Sequence, residues 1–331
     1  MRINSPQELK AMQELYGQAL GAQRKRILVC AGTGCVAGGS LLIYARLKEL
    51  MEERGIRCEV VLQEEPHEPF HEGAADGTAA APAKDAAGEG QDAPRIGLKK
   101  SGCHGFCEMG PLLRIDPEGL LYIKVKVEDC EEIIERSILK DEIVERLVYQ
   151  DASLKSYPRQ EDIPFYKKQT RVALEYCGHI NAESVNEYIA VGGYSAVAKA
   201  LFEMTPEQIV DEITRSCLRG RGGGGFPTGR KWAQVLRQPE EIKYVVCNGD
   251  EGDPGAFMDR SMMEGEPHRV LEGMLISGIA TGAHYGYIYV RAEYPLAVSR
   301  LQTAIDQAME VGLLGENILG SGFDFTVKIS Q

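Results

Sequence analysis

The segment from Leu218 to Arg260 restricts the possible fold and function of this chain more than any other. It opens with LRGRGGGGFPTGRKW, whose four consecutive glycines, Gly222–Gly225, exclude the interior of a helix or strand. Backbone N–H groups on such a turn can form a concavity that binds anions. The segment closes with the acidic, glycine-rich run NGDEGDPGAFMDR. A basic glycine loop followed by an acidic one predicts a nucleotide site, with phosphates on one side and hydroxyl or amide groups on the other.

A flexible linker is the alternative interpretation of the glycine run. Linkers of that kind favour serine, whereas this run is followed by Phe226, Pro227 and Trp232. The run also differs from the usual nucleotide motifs. It is neither a G-x-G-x-x-G with a distant acid nor a Walker loop that ends in Gly-Lys-Ser/Thr. We therefore interpret it as an unusual nucleotide-binding loop.

Length and charge limit the class of protein. A chain of 331 residues with 44% apolar residues predicts about two globular domains. The net charge of −12 argues against nucleic acid as a partner. No window of about 18 residues is continuously apolar, so the sequence predicts no membrane span. The N-terminus lacks the charged and then apolar segments of a signal peptide. We expect a cytoplasmic protein, and nine cysteines in a reducing compartment suggest metal or redox chemistry rather than a disulfide framework.

The N-terminal half predicts a helix within residues 1–25 and then a domain over residues 26–150. Ser5 can cap the helix, which we expect to pack on the surface of the domain. A strand at 26–30, an amphipathic helix at 39–54 and a strand at 56–62 favour a parallel arrangement. Residues 63–94 contain eight acids and one lysine, which predicts a disordered acidic insertion. A hairpin around Asp116–Gly119 and a helix at 128–139 follow.

Two pairs of cysteines lie in glycine-rich turns of this domain. They are Cys30-x4-Cys35 and Cys103-x3-Cys107, and four thiolates are what a [2Fe–2S] cluster requires. Zinc is the rival metal, but its sites usually contain a C-x2-C pair, and a redox disulfide would favour C-x-x-C. Burial of all four in a core is a further alternative. The other five cysteines are expected to be ordinary core residues: Cys58, Cys130, Cys177, Cys217 and Cys247.

The C-terminal half, residues 164–331, follows a polar linker at 151–163. A capping box at Thr205 and Gln208 predicts the start of the helix that leads into the glycine loop. Its strands at 243–247, 287–291 and 325–329 alternate with helices at 268–283 and 296–311. This order predicts a parallel sheet with right-handed crossovers. The acidic run leaves the carboxyl end of the first of these strands, which is where ligands bind in open α/β sheets.

The two motifs of Leu218–Arg260 resemble the NADH-binding flavoprotein subunit of respiratory complex I. They resemble still more closely the equivalent subunits of soluble NAD(P)-linked hydrogenases and formate dehydrogenases. The similarity runs from about Pro164 to the last residue, while residues 26–150 resemble the thioredoxin-like [2Fe–2S] ferredoxin. The resemblance implies an α/β fold class: a thioredoxin-like [2Fe–2S] domain followed by a partial Rossmann-like domain that binds FMN and NADH.

The resemblance also implies a function. FMN would exchange hydride with NADH or NADPH and pass single electrons to iron–sulfur clusters, with iron–sulfur subunits of a larger assembly as partners. Lys231 would stabilise reduced flavin, Phe226 would stack on adenine, and Asp253 would contact the nicotinamide nucleotide where respiratory enzymes carry Glu. The full cofactor-binding set it implies is Gly220, Arg221, Gly222, Gly223, Gly225, Phe226, Lys231, Asn248, Asp250, Glu251 and Asp253. The metal ligands it implies are Cys30, Cys35, Cys103 and Cys107.

The chain stops at Gln331, whereas the family continues into a ubiquitin-like domain and a helical domain with a [4Fe–4S] cluster. That cluster is therefore not expected here. Truncation, a split gene and a broken reading frame are all open explanations. Two other functions also stay open: a [2Fe–2S] electron-transfer protein with a non-functional flavin remnant, and an inactive gene fragment. The sequence does not choose between NAD and NADP, nor name the final acceptor.

Overall fold

The computed structural model describes residues 2–62 and 95–331. The predicted acidic insertion at 63–94 lies outside the described residues. The N-terminal half contains α1 (Pro6–Gly21), β1 (Lys25–Cys30), α2 (Thr33–Ala37), α3 (Ser40–Glu53), β2 (Cys58–Glu59), β3 (Ile96–Ser101), β4 (Leu113–Asp116), β5 (Leu120–Tyr122), α4 (Cys130–Glu132), β6 (Tyr149–Gln150) and β7 (Ser156–Tyr157). The C-terminal half contains α5 (Pro164–Lys167), α6 (Val185–Ala190), α7 (Ser195–Phe202), α8 (Pro206–Arg215), α9 (Thr228–Leu236), β8 (Tyr244–Gly249), α10 (Met258–Gly265), α11 (Pro267–Thr281), β9 (Tyr285–Val290), α12 (Pro295–Glu310) and β10 (Thr326–Ser330).

The N-terminal sheet has the strand order β2-β3-β1-β4-β5. Strand β1 pairs in parallel with β3 on one side and antiparallel with β4 on the other. This order fits the predicted thioredoxin-like domain. Helix α3 covers the sheet with a buried stripe that includes Ile43, Leu47 and Leu50, as its amphipathic period predicts. The predicted hairpin forms as β4 and β5, whereas the strand predicted at 56–62 shortens to β2.

The C-terminal sheet has the order β10-β9-β8, and all its strands are parallel. The predicted alternation of strands and helices is therefore confirmed. Helices α11 and α12 pack on one face, where Leu271, Leu275 and Leu301 are buried. Side chains on the opposite face are exposed, among them Tyr244, Tyr285, Tyr287 and Tyr289.

Helix α1 begins as the sequence predicts but packs elsewhere than expected. Ser5 caps it by accepting a hydrogen bond from the Glu8 N–H at 3.1 Å. We expected this helix to lie on the surface of a domain. Instead, Leu9 and Tyr16 are buried in the core of the C-terminal half, where α1 packs against α6. The N-terminal helix thus belongs to the second core rather than to the thioredoxin-like domain it precedes.

The segment predicted as a polar linker, 151–163, is structured. Strand β7 lies within it and pairs with β6, and Tyr157 and Ile163 are buried against Cys30 and Cys35. The segment therefore forms part of the wall around the cysteine loops. No helix in residues 2–62 or 95–331 has the length and apolar character needed to cross a membrane.

Candidate functional site

The four predicted cluster ligands come together from two loops. The Sγ atoms of Cys103 and Cys107 lie 3.5 Å apart, and Cys35 and Cys103 are close enough to Cys30 to shift its pKa. Cys30 and Cys35 are buried, whereas Cys107 is exposed. Cys35 lies on the short helix α2 rather than in the loop predicted for it. The site therefore opens to solvent on the side of Cys107.

The thiols strongly affect one another's ionisation. The hydrogen bond to Cys103 lowers the pKa of Cys30, but the bond to Cys35 and burial outweigh it and raise that pKa to about 12. The hydrogen bond to Cys103, together with burial, raises the pKa of Cys107. The hydrogen bond to Cys30 lowers the pKa of Cys35. Without a metal Cys30 and Cys107 therefore favour the thiol form, and an iron–sulfur cluster would supply the positive charge that their ionisation needs.

The number of cysteines and their origin suit two irons. A [2Fe–2S] cluster distributes four cysteines over two irons, and each loop supplies two cysteines. Zinc also takes four cysteines, gathered around one centre, and stays the rival metal.

The other cysteines differ in burial. Cys130 and Cys177 are buried, as expected for core residues. Cys58 and Cys247 are partly buried. Cys217 is exposed, because it lies in the turn that follows α8, so its prediction as a core residue is wrong.

The glycine loop forms an open hairpin in front of α9. The Gly220 N–H donates to the Phe226 carbonyl at 2.9 Å. The backbones of Arg219 and Pro227 pair as an isolated antiparallel β-bridge. Gly223 has φ +89°, a conformation that favours glycine. A Cβ built on any of Gly222 to Gly225 would meet nothing within 4 Å. The backbone of this loop is therefore accessible to a ligand.

Exposed basic and aromatic groups surround this loop. Arg221, Arg230 and Lys231 are all exposed. The Arg230 guanidinium lies 5.7 Å from the centre of the Phe226 ring, and that ring is 41% exposed. Phe226 therefore presents a free face on which a flat ligand could stack. These groups meet the steric and charge requirements for a nucleotide.

The acidic loop starts at the carboxyl end of β8, as predicted. The Asn248 side chain accepts a hydrogen bond from the Asp250 N–H at 3.0 Å. In parallel register, Asn248 lies beside Tyr289, which in turn lies beside Ser330, so three polar residues form a row across the sheet. Asp253 is exposed. Among the described residues, no hydrogen bond joins this loop to the glycine loop.

Glu251 differs from its neighbours because it is buried. Its carboxylate oxygens accept hydrogen bonds from the N–H groups of Asp259 (3.1 Å) and Arg260 (3.2 Å), at the start of α10. Arg291 donates to the Glu251 carbonyl at 2.7 Å. Glu251 thus organises the loop from within, in addition to the predicted contact with flavin, which stays a prediction.

Sequence reasoning missed Arg291, although its position held a usable indication. Arg291 directly follows β9, and the carboxyl ends of adjacent parallel strands meet at one edge of a sheet. Any charged residue directly after β9 therefore comes near the acidic loop. The structure places its Nε atom 3.9 Å from Asp250 Oδ1.

Comparison with known proteins bears on the C-terminal half of the chain. Residues 213–331, which include both glycine-rich loops, match the family described as the Nuo51 FMN-binding domain. The chain is a relative of the NADH-binding flavoprotein subunits. It is 58% identical over 163 residues to the NADP-reducing hydrogenase subunit HndC of Solidesulfovibrio fructosivorans. The matched region covers 49% of this chain and 33% of that protein. It is 43% identical over 178 residues to an NADH-quinone oxidoreductase subunit of Aquifex aeolicus. The matched region covers 54% of this chain and 41% of that protein.

The chain thus spans less than half the length of the curated relatives it matches. Solved structures similar to it include an NAD⁺-reducing [NiFe]-hydrogenase, at 18% identity and a TM-score of 0.36, which covers 97% of this chain and 46% of the other. They also include the thioredoxin-like [2Fe–2S] ferredoxin of Aquifex aeolicus, at 22% identity and a TM-score of 0.25, which covers 39% of this chain and all of the other.

Proposed function

We propose that this chain is an NAD(P)H dehydrogenase module that exchanges hydride between NAD(P)H and FMN and passes single electrons to iron–sulfur clusters. Its partners would be iron–sulfur subunits of a hydrogenase, a formate dehydrogenase or a complex I-like assembly. The observation that carries the proposal is the convergence of four thiols in a domain that packs directly on the flavoprotein-related half. A buried ion pair between Lys99 and Glu187, 2.8 Å long, joins the two halves.

The residues around the two glycine-rich loops suit FMN and a nicotinamide nucleotide. The open amides of Gly222–Gly225 and the charges of Arg221 and Lys231 would bind phosphate and stabilise negative charge on the flavin. Phe226 would stack on adenine. Asn248, Asp250 and Glu251 would hold the flavin and its ribityl chain, and Asp253 would contact the nicotinamide nucleotide. FMN, when bound, supplies the conversion between a two-electron and a one-electron donor.

The four cysteines would hold the [2Fe–2S] cluster. Their thiol contacts support this role, as does the exposure of Cys107, which offers a route for electrons to leave. A location in the cytoplasm belongs to the same proposal. All nine cysteines are free, which suits a reducing compartment.

An anaerobic titration with NADH tests the proposal. The chain is first reconstituted with FMN, iron and sulfide, and flavin absorbance and the EPR signal of the cluster are followed together. We expect flavin to bleach first and a [2Fe–2S] signal to appear afterwards, and a parallel titration with NADPH identifies the nucleotide. Lys231→Ala should slow bleaching roughly 100-fold. Lys199→Ala, which removes an exposed lysine of α7, should leave the rate unchanged. Absence of bleaching by either nucleotide in the reconstituted chain would refute the dehydrogenase function.

A second candidate function is electron transfer through the cluster alone. It is favoured by the contrast between the assembled thiol site and the glycine and acidic loops, which no hydrogen bond joins among the described residues. This function predicts an EPR signal after dithionite but no response to NADH or NADPH. The same titration therefore separates the two candidates.

A further inference from the structure

The C-terminal end of helix α10 contacts the first cysteine loop. The Thr33 N–H donates to Glu264 Oε2 at 2.9 Å, and the Thr33 hydroxyl donates to the other carboxylate oxygen. Thr33 lies between Cys30 and Cys35, and Glu264 is only 1% exposed. A carboxylate of the C-terminal half therefore holds the backbone of the loop that carries two of the four thiols.

The next residue of the same helix contacts the second cysteine loop. A Cβ built on Gly265 would overlap Cys177 Sγ and would lie 3.3 Å from the Cα of Gly102, the residue before Cys103. Gly102 is equally tight, because its Cβ would lie 2.6 Å from the Gly265 Cα. Only glycine at both positions permits this approach of the two backbones. One turn of α10 thus touches both cysteine loops.

A buried arginine connects this turn to the first loop. Arg300, which is 2% exposed, donates from Nη2 to the Ala31 carbonyl at 3.0 Å and from Nη1 to the Glu264 carbonyl. Ala31 directly follows Cys30. The guanidinium therefore satisfies two carbonyls that the contact between the halves removes from water.

The opposite end of α10 is fixed by the acidic loop, through the hydrogen bonds that Glu251 accepts from the N–H groups of Asp259 and Arg260. Helix α10 has 8 residues, so about 12 Å separates its ends. The same short helix therefore connects the proposed nucleotide loop to both cysteine loops.

We propose that Glu264, Gly265 and Arg300 are positioning residues that hold both cysteine loops in the geometry of the bound cluster. Through α10 they also fix the cluster relative to the acidic loop. The inference rests on the proposed cluster. Residues that orient metal ligands typically contribute 10- to 100-fold to metal retention, because they fix the ligands before the metal binds.

The first test needs no cluster. Hydrogen exchange of the full chain, without iron, is compared between the wild type, Glu264→Gln and a matched control. The control is Glu272→Gln, the same substitution at a buried glutamate of α11. Glu272 accepts a hydrogen bond from the Tyr188 hydroxyl, and a glutamine there can still accept it. We expect faster exchange at Thr33 in Glu264→Gln, because its N–H loses a carboxylate acceptor. Exchange at Thr33 should be unchanged in Glu272→Gln.

The second test uses the reconstituted chain. We expect Glu264→Gln to release iron to a chelator about tenfold faster than the wild type and Glu272→Gln to release it at the wild-type rate. The midpoint potential of the cluster should rise in Glu264→Gln, since reduction adds negative charge and the variant removes a nearby carboxylate. Thr33→Val removes only the hydroxyl donor. It should release iron slightly faster than the wild type and leave the potential nearly unchanged, because the carboxylate stays.

The outcomes separate this inference from the proposed function. If the wild-type chain takes up no two-iron cluster, the proposed function fails, while exchange at Thr33 still tests whether Glu264 holds the loop. If the wild type takes up a cluster and Glu264→Gln matches it in exchange, iron release and potential, the positioning role is refuted.

Discussion

Asp250 and Glu251 are adjacent in the sequence but contact different parts of the protein. Asp250 is about half exposed, with Arg291 at 3.9 Å as its charged neighbour. Glu251 is buried and accepts two N–H groups at the start of α10. The first is therefore available to a ligand, whereas the second stabilises the loop and helix whether or not a ligand is bound.

Replacing these two acids should separate the two effects. Glu251→Ala should lower the free energy of unfolding by about 1–2 kcal/mol, because the N–H groups of Asp259 and Arg260 lose their acceptors. Asp250→Ala should change it by less than about 0.5 kcal/mol. Urea denaturation of the chain without cofactors measures both, and equal losses would contradict the assignment of Glu251 as the cap of α10.

His268 should make stability depend on pH. It is buried between Tyr194, whose hydroxyl lies 2.9 Å from Nδ1, and Gln307, and burial lowers its pKa from 6.5 to about 4. The folded state therefore favours the neutral ring. Its contribution is fully present above pH 6.5 and is lost as the pH falls toward 4, because the unfolded chain binds the proton first.

We therefore expect His268→Asn to reduce the loss of stability between neutral pH and about pH 5. Part of the loss should persist, because burial also lowers the pKa of His104, to about 3. Urea denaturation at both pH values gives the comparison. An unchanged difference between the two pH values in the variant would show that His268 does not contribute.

At the scale of elements, helix α11 carries two glycines in different surroundings. A Cβ on Gly278 would lie 2.7 Å from Cε2 of the buried Phe325 ring, whereas a Cβ on Gly273 would meet nothing within 4 Å. Gly278 thus lets the helix approach the sheet closely. Gly273 has no comparable packing reason for being glycine.

The same substitution at these two sites should have opposite effects. Gly273→Ala should raise stability by up to about 1 kcal/mol, because alanine favours helix more than glycine does. Gly278→Ala should lower it by about 1–3 kcal/mol, because Phe325 must move. Thermal denaturation of both variants provides the measurement, and a gain in stability at Gly278 would contradict the close approach.

Most elements could be predicted because their patterns are local. Alternation of apolar runs with amphipathic segments indicated β8, β9 and β10 with the helices between them, and the box at Thr205 and Gln208 set the start of α8. Helix α10 could not be predicted. Its sequence is attached to a motif rich in Gly, Pro and Asp, and its capping acceptor, Glu251, lies several residues upstream of the helix.

The cysteine ligands could be proposed from spacing alone, whereas their supports could not. Glu264 is 231 residues from Thr33, and Arg300 is 269 residues from Ala31. No periodicity in a single sequence links positions so far apart. For the same reason, the packing of α1 on the second core was not foreseen.

At the scale of the whole molecule, two neighbouring lysines join the halves with different burial. The pair of Lys99 with Glu187 is fully buried at 2.8 Å. The pair of Lys100 with Glu183 is 2.9 Å long, but both side chains are 32% exposed. Solvent screening therefore weakens the second pair but not the first.

Lys99→Met should destabilise the chain by about 3–5 kcal/mol, because the Glu187 carboxylate stays buried without its cation. Adding Glu187→Gln should restore part of the loss. Lys100→Met should cost less than about 1 kcal/mol. Thermal denaturation compares the three, and a small effect of Lys99→Met would mean that the two halves are held together mainly by other contacts.

The length of helix α10 restricts how the protein can vary. Inserting one residue between Glu251 and Glu264 within the helix would turn one end by about 100° and move it about 1.5 Å relative to the other. Glu264 would then face away from Thr33, and Gly265 would no longer meet Gly102. Natural variation should therefore change this helix by substitution and leave its number of residues intact.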